Sequence, residues 1–337
     1  MSFWGNETSV RFPNLGIEFS SLPKGIAIGT FQIAFYGIVI AFGMIMGLCI
    51  ARWKAKKTGQ DREIYLDAAL WAIPLSVIGA RVYEVIFDWE TYKGDFLKII
   101  NIRNGGLAIY GGIIVAILSV FTYCRIKKLR ITLMWDTAIL GLILGQIIGR
   151  WGNFFNREAF GKYTNGPLAM QIELDAAGSM YSPEFSEQLL RNMYEGKENV
   201  LNNILEIRNN IVVLEDGRQF IQVHPTFLYE SLWNLFILGI MLFVWPRKKF
   251  NGEIILIYLM GYGFGRFFIE TIRIDQLFIW GTGLAASQML SGLLFVGALV
   301  LFIVFRVRAA KSGEAVSMEL RLETPASETA ETEEKTE

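Results

Sequence analysis

The chain has one histidine and two cysteines among 337 residues, eight prolines, and no excess of either charge, with 32 Lys plus Arg against 32 Asp plus Glu. One His and two Cys cannot make a transition-metal ligand set, so neither a metal nor another cofactor is expected. Cys49 and Cys124 lie near span ends placed on the cytoplasmic side, which excludes a disulfide framework and reads both as packing residues. Basic residues are divided among short loops instead of forming one patch, so no nucleic-acid partner is expected. Gly-x-Ser-x-Gly is absent and a lone His would have to serve as base, which argues against a serine hydrolase. No glycine-rich loop precedes a Lys-Ser or Lys-Thr pair, so nucleotide hydrolysis is not suggested. The first 28 residues lack the basic start, apolar core and small-residue cleavage site of a signal peptide, so the first span is expected to stay in the mature protein.

What is abundant is apolar length. Hydrophobic residues make up 53% of the chain, in blocks of about 20, the number that ~1.5 Å per residue needs to cross ~30 Å of hydrocarbon. The expected fold is an all-α polytopic membrane protein with seven transmembrane helices, roughly 29–51, 63–87, 106–124, 132–154, 226–245, 253–271 and 284–305, and a small extracytoplasmic head. Basic clusters follow the first span (Arg52, Lys54, Lys56, Lys57, Arg62), the third (Arg125, Lys127, Lys128, Arg130), the fifth (Arg247, Lys248, Lys249) and the seventh (Arg306, Arg308, Lys311). By the positive-inside rule the N-terminus is then outside and the C-terminus cytoplasmic. The expected organisation is an extracytoplasmic segment 1–28, spans 1–4 in 29–156, a head segment 157–222, spans 5–7 in 223–305, and a disordered cytoplasmic acidic tail 306–337 too poor in large apolar residues to bury a core. Within the head, a helical run near Glu184–Asn203 precedes a β-branched run at Ile211–Leu214. Glycines four apart, at Gly43 and Gly47, at Gly141, Gly145 and Gly149, and at Gly261 and Gly265, mark close helix packing.

Charge inside such spans is costly and marks function. Counting from the inner helix ends puts Arg81, Arg150 and Arg266 ~26, ~27 and ~20 Å up the second, fourth and sixth spans, in the outer half of the bilayer. Tyr36, Tyr110 and Glu230 fall near the outer ends of the first, third and fifth. Glu84 and Glu270 join this layer, and Arg266 and Glu270, four apart, share a helix face on which they can pair. Asp67 and Asp136 sit at the opposite end. Single arginines near helix ends commonly snorkel to headgroups, but the coincidence of Arg81, Arg150, Asn153, Glu158, Arg266 and Glu270 favours a shared task. His224, before Pro225, reads first as a helix-entry or hydrogen-bonding residue. Guanidinium groups stay charged and grip phosphate oxygens bidentately, so this layer suits a phospholipid headgroup reached sideways from the bilayer.

Several motifs stand in order along residues 30–305: Tyr36-Gly37, Gly79-Ala80-Arg81, Asn104 to Gly112, Gly149 to Gly161, His224 to Glu230, and Arg266 to Glu270 with Arg273. In these the chain resembles the prolipoprotein diacylglyceryl transferases, bacterial membrane enzymes that move a diacylglyceryl group from phosphatidylglycerol to the thiol of a lipoprotein precursor's lipobox cysteine. The resemblance implies catalytic roles for Arg150, Asn153, Glu158, Arg266, Glu270 and Tyr110, and substrate contacts from Tyr36, Arg81, Gly161, Arg273 and His224. It also implies a plasma-membrane location. Tyr110 stands where some members have a His suggested as the base, and a tyrosine near pKa ~10 is a poor base at neutral pH. Two other classes remain open at this point. A secondary transporter would carry its site near the midplane on broken, repeated helices, whereas a receptor-like scaffold would use intramembrane charge only to hold the bundle.

Overall fold

The computed structural model describes residues 8–28, 31–102, 105–174, 180–274, 276, 285–313 and 320. Its long helices are α1 (Phe35–Lys57) and α2 (Glu63–Phe87), then, after the short α3 (Trp89–Tyr92) and α4 (Phe96–Ile100), α5 (Ile109–Ile126) and α6 (Ile131–Asn156). Two small helices, α7 (Glu187–Met193) and α8 (Glu198–Asn209), precede α9 (Thr226–Val244), α10 (Glu253–Ile272) and α11 (Ala286–Ser312). Seven of them (α1, α2, α5, α6, α9, α10 and α11) are long and apolar enough to cross a membrane.

The mostly helical architecture with seven candidate spanning helices is the one expected, and a small sheet region is present as well. Strands β1 (Thr8–Phe12), β2 (Ile17–Leu22), β5 (Met170–Glu173), β6 (Val212–Val213) and β7 (Gln219–Val223) form an antiparallel sheet in the order β2-β1-β5-β7-β6, and β3 (Gly25–Ile28) pairs separately with β4 (Phe31–Ala34). The first span therefore starts at Phe35, not near residue 29. Its leading apolar residues are taken by β4, and the Phe35 N–H donates to the Lys24 carbonyl at 2.9 Å. A short apolar run fits strand and helix equally well until its partner is known. The single helical run expected near Glu184–Asn203 is two helices, separated where Gly196 adopts φ +75°. Ser186 caps the first of them, its Oγ accepting from the Leu189 N–H. At the other end α11 continues to Ser312, so residues 306–312 are helical and not part of a disordered tail. Most of the remaining tail and residues 1–7 lie outside the described residues.

Two compact units can be distinguished. One comprises Met1–Gly47, Leu142–Arg247 and Leu256–Lys311; the other comprises Leu48–Gly141, Lys248–Ile255 and Ser312–Glu337. In the first, the sheet buries Val10, Phe12, Met170, Ile172, Ile221 and Val223 against Phe154 near the end of α6 and Phe227 at the start of α9. Cross-strand partners Gln171 and Gln222 are joined inside the sheet, with Gln171 Nε2 donating to Gln222 Oε1 at 2.8 Å, while Gln222 Nε2 donates to the Thr164 carbonyl. The sheet thus clamps the ends of two spanning helices. Gly43 of α1 meets Gly145 of α6 so closely that a Cβ there would stand 3.2 Å from the Gly145 carbonyl oxygen, as the glycine spacing anticipates.

The second unit has its own core, in which Tyr65, Cys124, Leu133 and Met134 surround the buried side chain of Leu320. The fully buried Asp136 accepts the N–H groups of Gly252, Ile254 and Ile255 and the Lys248 ammonium at 3.0 Å, capping the start of α10. Asp136→Asn removes the carboxylate that pairs with this buried ammonium. It is expected to cost about 3–5 kcal/mol, read as an earlier unfolding transition in detergent micelles; an unchanged transition would refute the capping role.

Candidate active site

Charge in the first unit converges on one carboxylate. Glu230, on the first turns of α9 and 4% exposed, takes Arg150 of α6 on Oε2 and Arg266 of α10 on Oε1 at 2.8 Å. The other guanidinium nitrogen of Arg266 reaches Glu270 Oε2 at 2.6 Å, the i,i+4 pair that the sequence spacing predicts. Arg273 lies 3.6 Å from Glu230 and 3.9 Å from Glu270. Three cations against two carboxylates leave this group of five one net positive charge. Both carboxylates are buried, whereas the side chains of Arg150 and Arg266 remain 23% and 18% exposed. The positive charge is therefore the part of the cluster that a ligand can reach.

The α6 terminus builds the adjoining wall. Asn153 stands one turn beyond Arg150, and its Nδ2 donates to Glu158 Oε1 at 3.1 Å while the Glu158 N–H returns to the Asn153 carbonyl. Arg157 (φ 55°) and Ala159 (φ 56°) flank Glu158 in the left-handed region, where residues with a Cβ are uncommon. The chain holds that conformation because it is tied on both sides. The Arg157 guanidinium donates to the carbonyls of Thr8 and Leu22, and the Thr226 hydroxyl donates to the Ala159 carbonyl. Tyr36 packs closely on Gly152, where a Cβ would come within 2.8 Å of its ring.

Gly161 is a backbone junction. Its N–H donates to the His224 carbonyl at 2.9 Å, the next N–H, of Lys162, donates to Ile272 O at 2.7 Å, and Gly161 bridges to Arg273. A Cβ on Gly161 would fall 2.8 Å from both Ile272 O and His224 Cβ. Gly161→Ala must therefore displace the segment that carries Arg273, and since misplacing a binding group by about 1 Å costs on the order of 10²-fold in rate, a loss of that size is expected in turnover assays. Wild-type turnover in the variant would show that the junction has slack. His224 Nδ1 lies 3.1 Å from the Tyr229 hydroxyl, and burial pushes the imidazole pKa below its ordinary value.

Arg150, Asn153, Glu158, Gly161, Arg266, Glu270, Arg273, Tyr36 and His224 all belong to the first unit. Arg81 and Tyr110 belong to the second. Arg81 is buried and gives its donors to the carbonyls of Lys98, Ile99, Asn101, Gly105 and Gly106, and its guanidinium lies over the Tyr92 ring at 4.6 Å. Tyr110 is half-exposed at the start of α5. Glu230 lies outside the site residues expected from the sequence, in which only its depth near the outer end of the fifth span marks it. Depth along a helix can be counted from sequence, but the azimuth that brings a carboxylate between two arginines of other helices cannot. The signal that could have found it is the rarity of a carboxylate inside an apolar span. No group of His, Cys, Asp and Glu among the described residues has the arrangement of a metal site.

Comparison with known proteins gives a consistent answer. A family model described as prolipoprotein diacylglyceryl transferase matches residues 23–304. Similar proteins include the phosphatidylglycerol–prolipoprotein diacylglyceryl transferases of Listeria innocua serovar 6a, 38% identical over 286 residues (85% of this chain, 90% of that protein), and of Finegoldia magna, 38% identical over 284 residues (84% and 95%). An enzyme of Clostridium perfringens with that name, numbered 1, is 34% identical over 293 residues (86% and 98%).

Proposed function

Because this chain belongs to the prolipoprotein diacylglyceryl transferase family, we propose that its Glu230-centred guanidinium cluster is where phosphatidylglycerol is held and cleaved. The protein transfers a diacylglyceryl group from phosphatidylglycerol to a prolipoprotein, and the transport alternative has no support. The observation that carries the assignment of the site is the surplus cation. A phosphodiester bears one negative charge, which matches the one net positive charge of the cluster of Arg150, Arg266 and Arg273 with its two carboxylates.

The chemistry follows from what must change charge. The thiol of the lipobox cysteine, near pKa ~8.5, is only partly ionised, and positive potential favours thiolate. Sulfur attacks the glycerol carbon that bears phosphate; the C–S bond forms, the C–O bond breaks, and glycerol phosphate leaves. The proton lost by sulfur balances on the new phosphate monoester. Arg150 and Arg266 stabilise the charge that grows on the departing oxygen, acting from positions already fixed by Glu230 and Glu270. Asn153 and Glu158 hold the rim of the site, Gly161 seats Arg273, and Tyr36 packs at Gly152. Arg81 ties the backbone at Lys98, Ile99, Asn101, Gly105 and Gly106, ahead of Tyr110 in the chain. The protein works in the plasma membrane with its N-terminus and the 157–222 head outside and its C-terminus in the cytoplasm.

The test is purified protein in phosphatidylglycerol-containing vesicles with a lipobox peptide. Diacylglyceryl peptide and free glycerol phosphate should appear in equal amounts. A Cys→Ser peptide should remain unmodified. Release of glycerol phosphate without peptide modification would sink the transfer chemistry.

A further inference from the structure

Beside the charged cluster runs an apolar groove of about 350 Å³, lined by Tyr229 and Trp233 of α9 and by Phe264, Gly265, Phe268, Ile269 and Ile272 of α10. Four of these seven residues immediately precede a charged residue of the cluster: Tyr229 before Glu230, Gly265 before Arg266, Ile269 before Glu270, and Ile272 before Arg273. Successive helix residues are ~100° apart around the axis and ~1.5 Å apart along it. Groove and cluster therefore occupy the same turns of the same two helices, on adjoining flanks. A molecule whose phosphate sits among the arginines has this apolar groove alongside it on α9 and α10.

The groove is held open by specific packing. Gly265 can face Trp233 only without a side chain, since a Cβ would fall 2.1 Å from the indole nitrogen, and that indole donates to the Gly261 carbonyl at 2.8 Å. Phe264 stacks on Trp233 with ring centroids 5.7 Å apart and contacts Phe268 at 4.8 Å, which makes an aromatic wall. At Tyr229 the lining turns polar, with the hydroxyl facing His224. An apolar trough with one polar end matches an ester-linked hydrocarbon chain.

We propose that this groove holds one acyl chain of the diacylglyceryl lipid and sets the chain-length preference of the enzyme. The inference rests on the diacylglyceryl-transfer reading above. It is tested with the full chain in detergent micelles, a lipobox peptide, and phosphatidylglycerols of short and long acyl chains, read as the ratio of kcat/KM for long over short chains. Because both substrates meet the same enzyme preparation, the ratio is insensitive to the fraction folded. Ile269→Trp obstructs the groove and should lower the ratio on the order of tenfold, the scale on which a few methylenes in an apolar pocket discriminate. Phe268→Ala lengthens the trough and should raise the ratio. A ratio unchanged in both variants would mean that ordinary bilayer lipid fills the groove and would overturn the proposal. If wild type transferred from no phosphatidylglycerol of any length, the transfer reading itself would fall and this one with it, a result distinct from an unchanged ratio in an active enzyme.

Discussion

Arg150→Lys should lower kcat for diacylglyceryl transfer by about 10²–10³, nearly as much as Arg150→Ala, while the protein still inserts and unfolds at close to the wild-type temperature. Loss of one preorganised donor to a developing oxyanion carries that cost, about 3–4 kcal/mol in the barrier. Lysine does not escape it, because the two jobs of Arg150 need separate nitrogens. One nitrogen is committed to Glu230 Oε2, so the charge that reaches a phosphate must come from the rest of a planar, forked group. An ammonium is a single centre on a flexible stem and has to choose between carboxylate and phosphate. With a side chain already 23% exposed, Arg150 contributes less to packing than Glu230 does, which is why stability should hold while turnover falls. The check is single-turnover transfer to a lipobox peptide alongside thermal unfolding of the same preparation. Full activity in the lysine variant would mean that only net charge, and not fork geometry, is needed at this position.

The seven spanning helices were legible because their signal is local. Twenty apolar residues between charged flanks need no knowledge of what they pack against, and the expected and observed bounds agree closely at α2, α6, α9 and α10. The sheet was not legible. Its strands come from residues near 10, 20, 171, 212 and 221, each two to six residues long, and pairing between such distant segments leaves no periodicity in any one window. The site divides along the same line. Arg266 with Glu270 follows from i,i+4 spacing on one helix, and the motifs of Gly149 to Gly161 and Arg266 to Glu270 lie on segments that the structure puts in one unit. What sequence could not supply was the carboxylate that joins α6 to α10, or the fact that Arg81 turns its guanidinium to five backbone carbonyls of its own neighbourhood. Both depend on rotation about a helix axis, which packing sets.

Glu230→Gln should do more damage to the folded protein than any single arginine change, and its kinetic signature should differ in kind. The glutamine amide keeps one acceptor but loses the charge that Arg150, Arg266 and Arg273 surround, and it adds an N–H₂ group facing their donors. Arg266 and Arg273 then keep Glu270, while Arg150 loses the carboxylate that holds it. Breaking a buried ion pair from one side typically costs about 3–5 kcal/mol, because the remaining charge is left uncompensated. Phosphatidylglycerol is itself an anion and can supply part of what was removed, so it should raise the unfolding temperature of the variant more than that of wild type, by linkage to a folded state that now binds it more tightly. Tighter binding of the ground state does not help the reaction. Without Glu230 to hold Arg150 and Arg266 apart, the arginines close on the phosphate as it stands in the substrate, so KM should fall while kcat falls by at least the two decades expected for a lost donor. A variant in which kcat is kept and only KM rises would place Glu230 outside the transition-state machinery and make it a contact to the uncharged part of the lipid.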